Sequence, residues 1–367
     1  MRYIYYKYKN NSKFLKETRL VNLYPIRVSE KIYISNMTIT KIPIWLDCDP
    51  GHDDAVALLL ACFHPAFDLK GVSACYGNAS PDHTDYNARS LLTAMGKANE
   101  ISVYRGAQRP WVRSPHYAPD IHGESGLDGT DLLPVPTCQD MTDKDYITAI
   151  KEQIEENEGL LTVLSTGAMT GIANVMKQHP DLKSKIKYIS IMGGGIGIGN
   201  VNDNLSAEFN AWIDPHAANF LFHDPIIKSK IILCPLNLTH TAIATQSVID
   251  RIIEKDSGQH PSNFRKMFHG LFQFFQKSYK ENQGFKNGPP IHDPMTLYPL
   301  LELYGWESND VVQFEYKRLE LDIVNDLDSK DVGKLTVVKT YPENDPLQEG
   351  IIVGFKINID FLSLIHI

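Results

Sequence analysis

The sequence predicts an α/β protein of one domain, in which helices cover both faces of a mainly parallel, open sheet. From Lys41 onward, short apolar runs alternate with amphipathic stretches of helical length. Strands that alternate with helices form βαβ units, and such units build parallel sheets. The chain has 367 residues without an internal repeat or a low-complexity linker, so we assign the sheet to a single domain.

Apolar periodicity predicts five strands and five helices along the chain. The predicted strands span 42–47, 69–75, 161–164, 186–192 and 231–235. The predicted helices span 53–63, 86–95, 146–157, 169–178 and 215–222. Every helix therefore lies between two strands, as the crossovers of a parallel sheet require.

Polar residues and glycines follow each predicted strand. In order, they are Asp47 and Asp49, Gly77 and Asn78, Ser165 to Gly167, Gly193 to Gly195, and Asn237 to His240. Ligands of open α/β sheets bind beyond the carboxyl ends of the strands. We therefore expect one polar crevice along this edge of the sheet.

Composition and charge exclude several classes of protein. The chain has 44 acidic and 36 basic residues and a net charge of −8, whereas a nucleic-acid-binding domain carries a basic face. The longest apolar run, 55–63, is far shorter than the roughly 18 residues that cross a bilayer. Five cysteines without metal-ligand spacing indicate a reduced, intracellular protein. We expect no nucleic-acid partner, no membrane association and a cytoplasmic location, with the nucleus as the alternative.

The first 36 residues differ from the rest of the sequence. They contain eight basic and two acidic residues, so their charge is +6 and the remainder carries −14 (−8 minus +6). They show little periodicity, and they lack the apolar segment of a signal peptide. We predict a disordered basic extension at 1–36 and a folded domain at 37–367.

Four aspartates lie close together, at positions 47, 49, 53 and 54. Asp53 and Asp54 open a predicted helix, where the helix dipole favours carboxylates. Asp47 and Asp49 instead end an apolar strand, so both should be buried. Buried like charges persist only with protons or a cation between them. Because carboxylate oxygens are hard ligands, the cluster favours Ca²⁺ or Mg²⁺ over zinc.

Three other segments are weak signals when taken alone. His292 and Asp293 follow a Gly-Pro-Pro turn, and Glu208 and Asn210 lie in an Ala-Glu-Phe-Asn stretch. The glycine-rich run 193–200 contains no G-x-G-x-x-G window and lacks the lysine of a P-loop. Binding of a nucleotide phosphate is therefore disfavoured.

Taken together, these segments resemble the inosine-uridine-preferring nucleoside hydrolase family. The matching motifs are DCDPGHDDAVALLLA at 47–61, GN at 77–78, HGESGLDG at 122–129, STGAMT at 165–170, IMGGG at 191–195, AEFN at 207–210 and HDP at 292–294. The resemblance implies a Rossmann-like nucleoside hydrolase fold and a homodimer or homotetramer. It also implies hydrolysis of the N-glycosidic bond of ribonucleosides to ribose and free base, in nucleoside salvage.

A calcium site is implied by the same resemblance. Asp49, Asp54 and Asp293 match carboxylate ligands of Ca²⁺, and Thr166 matches a residue that ligates through its backbone carbonyl. Asp49 also matches the base that takes a proton from the calcium-bound water. Asp47 would orient the site without touching substrate.

The substrate contacts are implied in the same way. The residues that match ribose-binding positions are Asp53, Asn78, Glu208 and Asn210, with Met192 against the sugar. His292 matches the general acid for the leaving base, a role that suits an ordinary histidine pKa near ~6.5. His122 and Tyr279 fall near the base pocket. The 5′-hydroxyl position corresponds to Asn200 or Asn202, and the spacing to Glu208 favours Asn202.

The expected substrates are uridine and cytidine, because the purine-specific branch of the family lacks the acid that His292 would supply. A broader purine and pyrimidine specificity, or nicotinamide riboside, is the alternative. A Mg²⁺-dependent phosphatase built on Asp47 and Asp49 and a non-catalytic calcium or nucleoside sensor are the rival functions. The family chain ends in a helix, which we expect to be truncated at 361–367.

Overall fold

The computed structural model describes residues 41–138, 140–141, 143–254, 260–343 and 346–360. The predicted extension at 1–36 and the predicted truncation at 361–367 lie outside these residues, so both remain predictions.

Within the described residues, ten strands form one sheet, in the order β4-β3-β2-β1-β5-β6-β7-β10-β8-β9. The strands are β1 Ile42–Cys48, β2 Phe67–Ala74, β3 Val103–Arg105, β4 Asp140–Met141, β5 Thr162–Ser165, β6 Tyr188–Met192, β7 Ile231–Cys234, β8 Glu315–Ile323, β9 Leu335–Thr340 and β10 Ile351–Lys356. Strands β1 to β7 are parallel to their neighbours, and β10 continues parallel to β7. Only the β10–β8 and β8–β9 pairs are antiparallel among the described strands. The predicted mainly parallel α/β sheet is therefore confirmed.

Helices connect the strands. The α-helices are α1 His52–Phe63, α2 Pro81–Ala94, α3 Pro119–His122, α4 Tyr146–Glu156, α5 Thr170–Gln178, α6 Leu182–Lys185, α7 Phe209–Ile213, α8 Pro215–His223, α9 Leu236–Thr239, α10 Gln246–Ile252, α11 Asn263–Ser278, α12 Tyr298–Leu303 and α13 Asn309–Val312. Two 3₁₀ turns span Lys228–Lys230 and Asp293–Thr296, and one π-helical turn spans Tyr279–Gln283. None of the helices in the described ranges is long and apolar enough to cross a membrane.

Both faces of the sheet are covered. Along β1, Ile44 and Leu46 belong to one buried cluster, which includes residues of α1 and α11. Trp45 points the other way, into a second cluster with residues of α4, α5 and α8. Side chains alternate between the faces of a strand, so a strand that is buried at every position must lie between two helical layers.

The ten predicted elements all occur, with ends displaced by up to five residues. The prediction missed the short strands β3 and β4, the strands β8 to β10, and the long helix α11. Helix α11 has a clear signal nevertheless: Ser262 caps its first turn, and Met267, Phe268, Leu271, Phe272 and Phe275 are buried at helical spacing.

The order of the strands places a crevice at the end of β1. The chain moves outward from β1 to β2, β3 and β4, and then returns to place β5 on the other side of β1. The end of β1 is therefore a topological switch point, where ligand sites of α/β sheets form. At this edge Asp47 pairs with Ser73 of β2 and Ser165 of β5.

Candidate active site

Three buried carboxylates converge beyond the carboxyl end of β1. Asp53 and Asp54 lie in the first turn of α1, and Asp293 begins the 3₁₀ turn Asp293–Thr296. One carboxylate oxygen from each lies within 4.8 Å of the others. The carboxyl group of Asp54 also accepts a hydrogen bond from the backbone N–H of Gly51 at 3.0 Å, which fixes the start of the helix.

Asp49 lies beside this cluster and is fully buried. Its Oδ2 accepts a hydrogen bond of 2.7 Å from the backbone N–H of Asn78, whereas its Oδ1 has no partner among the described residues. The chain after β2 passes so close to this carboxyl group that a Cβ at Gly77 would lie 1.9 Å from Asp49 Oδ2. Glycine is therefore required there.

Burial raises the pKa of every carboxyl group in the cluster, and repulsion between the carboxylates adds to this effect at Asp49, Asp53 and Asp293. Burial, followed by the charge of Asp54, raises the pKa of Asp53 to about 7. The pKa of Asp49 lies well above its usual range for the same two reasons. The pKa of Asp293 is also far above its usual range, because of burial and then the charge of Asp53. Burial raises the pKa of Asp54 as well.

The cluster fits a hard divalent cation. A cation would compensate the buried like charges, and carboxylate oxygens are the ligands that Ca²⁺ and Mg²⁺ prefer. The unpartnered Oδ1 of Asp49 is a buried acceptor without a donor, which a metal would satisfy. Thr166 Oγ1 donates to Asp54 Oδ1 at 2.8 Å, so the residue after β5 is also held at this point.

Two further predicted residues form one wall of the site. The Glu208 carboxylate accepts hydrogen bonds from the backbone N–H groups of Asn210, Ala211 and Gly194 at 2.9, 3.1 and 2.7 Å. The Asn210 side-chain amide donates to the Thr166 carbonyl at 2.7 Å, and it also contacts the carbonyl and sulfur of Met192. Burial raises the pKa of Glu208. The start of α7 is thereby attached to the ends of β5 and β6.

His292 also lines the site and lies between two hydroxyl groups. Its Nε2 lies 2.8 Å from Tyr279 Oη, its Nδ1 lies 2.7 Å from Thr239 Oγ1, and its backbone N–H donates to Asp53 Oδ2 at 3.2 Å. Burial, reinforced by the nearby His240, lowers the pKa of His292 to about 3. The expectation of an ordinary histidine pKa is therefore wrong, because the tertiary structure removes this ring from water.

These residues enclose a polar cavity of about 430 Å³. It is lined by most of the predicted site residues, namely Asp53, Asn78, His122, Thr166, Met192, Glu208, Asn210, Tyr279, His292 and Asp293. Asp49 and Asp54 lie directly behind this lining. The side-chain amide of Asn78 connects the two through hydrogen bonds to the Asp49 carbonyl and to Asp54 Oδ2, at 3.1 and 3.2 Å.

The structure corrects the preference for Asn202 at the 5′-hydroxyl position. The side-chain amide of Asn202 donates to Ser206 Oγ and to the carbonyl of Val332, both at 3.1 Å, so this residue stabilises its own loop. Asn200 instead lines the cavity, and its buried Oδ1 has no partner among the described residues. Residue spacing could not distinguish the two because the backbone turns between them, with Asn202 in the left-handed region at φ 66°.

Asp47 lies below the cavity, as expected. Its carbonyl accepts the N–H of Thr166 at 2.9 Å, and its Oδ1 accepts the Ser73 hydroxyl at 2.5 Å. Burial raises the pKa of Asp47 to about 7. It therefore supports the chain that carries Thr166 without reaching the cavity.

Sequence reasoning missed several residues around the site. Thr239 contacts His292, Trp212 lines the cavity, and His52 contacts His122. Thr239 and His52 do lie in segments that were noted, since one follows β7 and the other stands inside the acidic motif. Trp212 offered no signal, because a single tryptophan in an apolar stretch is typical of a core residue.

Comparison with known proteins gives consistent results. A family model described as inosine-uridine preferring nucleoside hydrolase matches residues 44–359. The chain is 58% identical over 326 residues to the uridine nucleosidase of Saccharomyces cerevisiae, which covers 89% of this chain and 94% of that relative. It is 37% identical over 268 residues to the pyrimidine-specific ribonucleoside hydrolase RihA of a Shewanella species, with coverages of 73% and 80%. A solved plant nucleoside hydrolase superposes with a TM-score of 0.74 at 22% identity, over 89% of this chain and 97% of that chain, and this similarity shows the fold alone.

Proposed function

The chain belongs to the inosine-uridine preferring nucleoside hydrolase family, and on this premise we propose that it hydrolyses uridine and cytidine with the help of a bound Ca²⁺. The activity of the family is hydrolysis of the N-glycosidic bond of ribonucleosides. The names of the yeast and bacterial relatives favour pyrimidine nucleosides. The residues that would hold the ion are Asp49, Asp54, Asp293 and, through its carbonyl, Thr166.

One observation carries the proposal. Three buried carboxylates meet within 4.8 Å beside a cavity that Glu208, Asn210, Tyr279 and His292 also line. A glycosidic bond breaks through a cationic, oxocarbenium-like sugar, which negative charge around the ribose stabilises. A nucleoside placed in this cavity would have its ribose against the acids and its base against the hydroxyl–histidine pair.

The water nucleophile needs an acceptor for its proton. When bound, Ca²⁺ would supply a positive charge that lowers the pKa of a coordinated water. Asp49 Oδ1 is the acceptor, since it is buried and makes no hydrogen bond to a described residue. The Asn78 N–H holds the other oxygen of this carboxylate at 2.7 Å, so the acceptor is preorganised.

The ribose would be held by groups that are already fixed. Asp53, Asn78, Glu208 and Asn210 all line the cavity. Their hydrogen bonds to the backbone and to each other hold the carboxylates and amides in place. Preorganised polar groups stabilise the transition state without reorganisation during the reaction.

Departure of the base requires a proton donor near the glycosidic bond. Because the pKa of His292 is lowered to about 3, its ring is neutral at pH 7 and has one N–H. The 2.8 Å contact with Tyr279 Oη and the 2.7 Å contact with Thr239 Oγ1 form a hydrogen-bonded chain. In this arrangement the Tyr279 hydroxyl can give its proton to the base while the N–H of the neutral His292 hydrogen-bonds to the phenolate oxygen left behind, so no histidine cation is needed.

Initial rates on five nucleosides test the proposed specificity. We expect ribose and free base in equal amounts from uridine and cytidine, at rates well above those for inosine and adenosine. Faster hydrolysis of inosine or of nicotinamide riboside would replace the pyrimidine assignment with the broader specificity. Release of phosphate from p-nitrophenyl phosphate without ribose release from any nucleoside would overturn the proposal.

The wider setting follows from the same proposal. Products of this reaction are ribose and a reusable base, which suits nucleoside salvage in the cytoplasm. A homodimer or homotetramer is the expected assembly, and sedimentation equilibrium of the purified chain would determine it.

A further inference from the structure

Asp293 reaches the carboxylate cluster on a short turn that is distant in sequence from the acidic motif. The 3₁₀ turn Asp293–Thr296 has four residues, and one oxygen of Asp293 lies within 4.8 Å of oxygens of Asp53 and Asp54. Carboxylates this close repel each other when they are ionised. Contacts outside the turn must therefore hold Asp293 against its two neighbours.

Three buried side chains donate hydrogen bonds to carbonyl oxygens of this turn. Ser190 Oγ, on β6, donates to the carbonyl of Thr296 at 2.8 Å, and Cys234 Sγ, at the end of β7, donates to that of Met295 at 3.2 Å. Within the turn, Thr296 Oγ1 donates to the carbonyl of Asp293 at 2.7 Å. The three donor residues have none of their surface exposed. Two neighbouring strands of the sheet are thus bonded directly to the turn that carries Asp293.

The two strand residues approach the turn from the same face of the sheet. Ser190 pairs with Ile232, which precedes Cys234 by two residues on the parallel strand β7, and side chains two apart on a strand point to the same face. Ile232 and Cys234 belong to the buried cluster that includes α1 and α11. Ile189 and Ile191, on either side of Ser190, belong to the cluster on the other face. Ser190 therefore points to the face that carries Cys234.

Apolar packing alone would not fix the orientation of the turn. Met295 is buried in the same apolar cluster, but the free energy of such burial does not depend on direction. Hydrogen bonds do depend on direction. A hydroxyl in the apolar interior is unfavourable unless it is hydrogen-bonded, and Ser190 stands between two isoleucines on β6. Its bond to the turn is therefore the interaction that distinguishes this position from an apolar core position.

From this geometry we propose that Ser190 and Cys234 are positioning residues, which orient the turn Asp293–Thr296 so that the Asp293 carboxylate can bind the cation. The inference rests on the proposed function and adds two residues that neither line the cavity nor bind the ion. A thiol is a weaker hydrogen-bond donor than a hydroxyl. Ser190 should therefore contribute more to the orientation of the turn than Cys234.

The affinity for Ca²⁺ tests the inference without recourse to activity. Calorimetric titration of the EGTA-treated full chain should give a Kd about 10- to 100-fold higher for Ser190→Ala than for the wild type, the usual effect of losing a group that orients a metal ligand. Ser190→Cys keeps a weaker donor, so its Kd should lie between the two. Cys234→Ala should raise the Kd by a smaller factor than Ser190→Ala. Cys234→Ser keeps a donor and should bind Ca²⁺ nearly as the wild type does.

Two comparisons separate positioning from a general loss of stability. Thr162→Val is the matched control, because it removes another buried hydroxyl, which lies 2.7 Å from Tyr304 Oη at the start of β5. It should lower Tm but leave the Kd for Ca²⁺ unchanged. The second comparison combines Ser190→Ala with Asp293→Asn. If Ser190 acts through Asp293, it should change the already weakened Kd of Asp293→Asn by less than about twofold. Weak binding can be followed through the rise of Tm with Ca²⁺.

Failure of the inference and failure of the proposed function give different results. A wild-type chain that releases no ribose from uridine would contradict the proposed function, whereas the Ca²⁺ titrations would still decide the role of the two residues. A wild-type Kd in Ser190→Ala or in Cys234→Ala would overturn the role of that residue. An equal loss of affinity in Thr162→Val would overturn both roles, because it indicates general destabilisation. A full effect of Ser190→Ala in the Asp293→Asn background would show that Ser190 does not act through Asp293.

Discussion

At the scale of single residues, Asp49 has the most specific proposed role, that of the general base. One carboxylate oxygen is held by a backbone N–H and the other is buried without a partner. We expect Asp49→Ala to lower kcat for ribose release from uridine by roughly 10²- to 10⁴-fold, the usual contribution of a general base. Asp82→Asn, an exposed carboxylate of α2, is the control and should remain active. Unchanged ribose release in Asp49→Ala would contradict the assignment.

A substrate whose leaving group needs no proton tests whether His292 and Tyr279 protonate the departing base. If the pair protonates the departing base, His292→Ala should lower kcat on uridine by roughly 10²- to 10⁴-fold. The same variant should hydrolyse p-nitrophenyl riboside almost normally, because nitrophenolate leaves without a proton. Comparable losses on both substrates, measured as initial rates, would indicate that His292 serves the structure of the site and does not act as a proton donor.

Individual residues differ in how far the sequence could predict them. The sequence could predict three of them, because each follows a recognisable strand or opens a helix: Asp49, Asp54 and Asn78. Asp293 was not among them, since it lies 239 residues beyond Asp54 in the chain (293 minus 54) and only the family motif connected them. The low pKa of His292 could not be predicted from the sequence, because it results from burial by residues distant in the chain.

At the scale of elements, the loop between β6 and α7 decides which asparagine lines the cavity. Asn200→Ala removes the unpartnered acceptor at the cavity, so we expect KM for uridine to rise about tenfold with a smaller change in kcat. Removal of the 5′-hydroxyl from the substrate should raise the KM of the wild-type enzyme to a similar extent. The same removal should change the KM of Asn200→Ala little. A KM that stays at the wild-type value would show that another residue binds the 5′-hydroxyl.

Asn202 provides the complementary prediction for the same loop. Its side chain donates to Ser206 and Val332, and its backbone adopts φ 66°, which asparagine tolerates better than alanine. Asn202→Ala should therefore lower the free energy of unfolding by about 1–3 kcal/mol, measured by urea denaturation, with KM nearly unchanged. A large rise in KM without loss of stability would support the original preference for Asn202.

The elements themselves were predictable to different degrees. Strands β1, β5, β6 and β7 are buried at almost every position and β2 is buried in its second half, so each contains an apolar run that the sequence pattern reveals. Strand β9 has five exposed positions out of six, so it lacks the apolar signal of a central strand. Its place at the edge of the sheet comes from pairing with β8, which is a tertiary contact that local pattern does not encode.

At the scale of the whole molecule, the cluster should couple stability to pH and calcium. The pKa of Asp53 in the folded protein is about 7, against 3.8 for an ordinary aspartate carboxyl group. The calcium-free folded state therefore binds more protons than the unfolded state between these values, and its stability should fall as pH rises from 4 to 7. Calcium replaces the protons, and its affinity should rise over the same range.

Thermal unfolding with calcium and with EGTA would measure this coupling. We expect the difference in Tm to be small at pH 5 and to increase towards pH 8. At calcium concentrations of 100 Kd the stabilisation should approach about 2.7 kcal/mol. A difference in Tm that stays constant across this pH range would show that the carboxylates do not exchange protons for the ion.

The central claim is that a cation held by Asp49, Asp54 and Asp293 is required for hydrolysis of the glycosidic bond. Ribose release from uridine, measured on EGTA-treated protein as Ca²⁺ is returned and bound calcium is counted, tests it most directly. The account predicts negligible release without the ion, and release proportional to bound calcium up to one ion per chain. Full ribose release from protein without any bound divalent metal would contradict it.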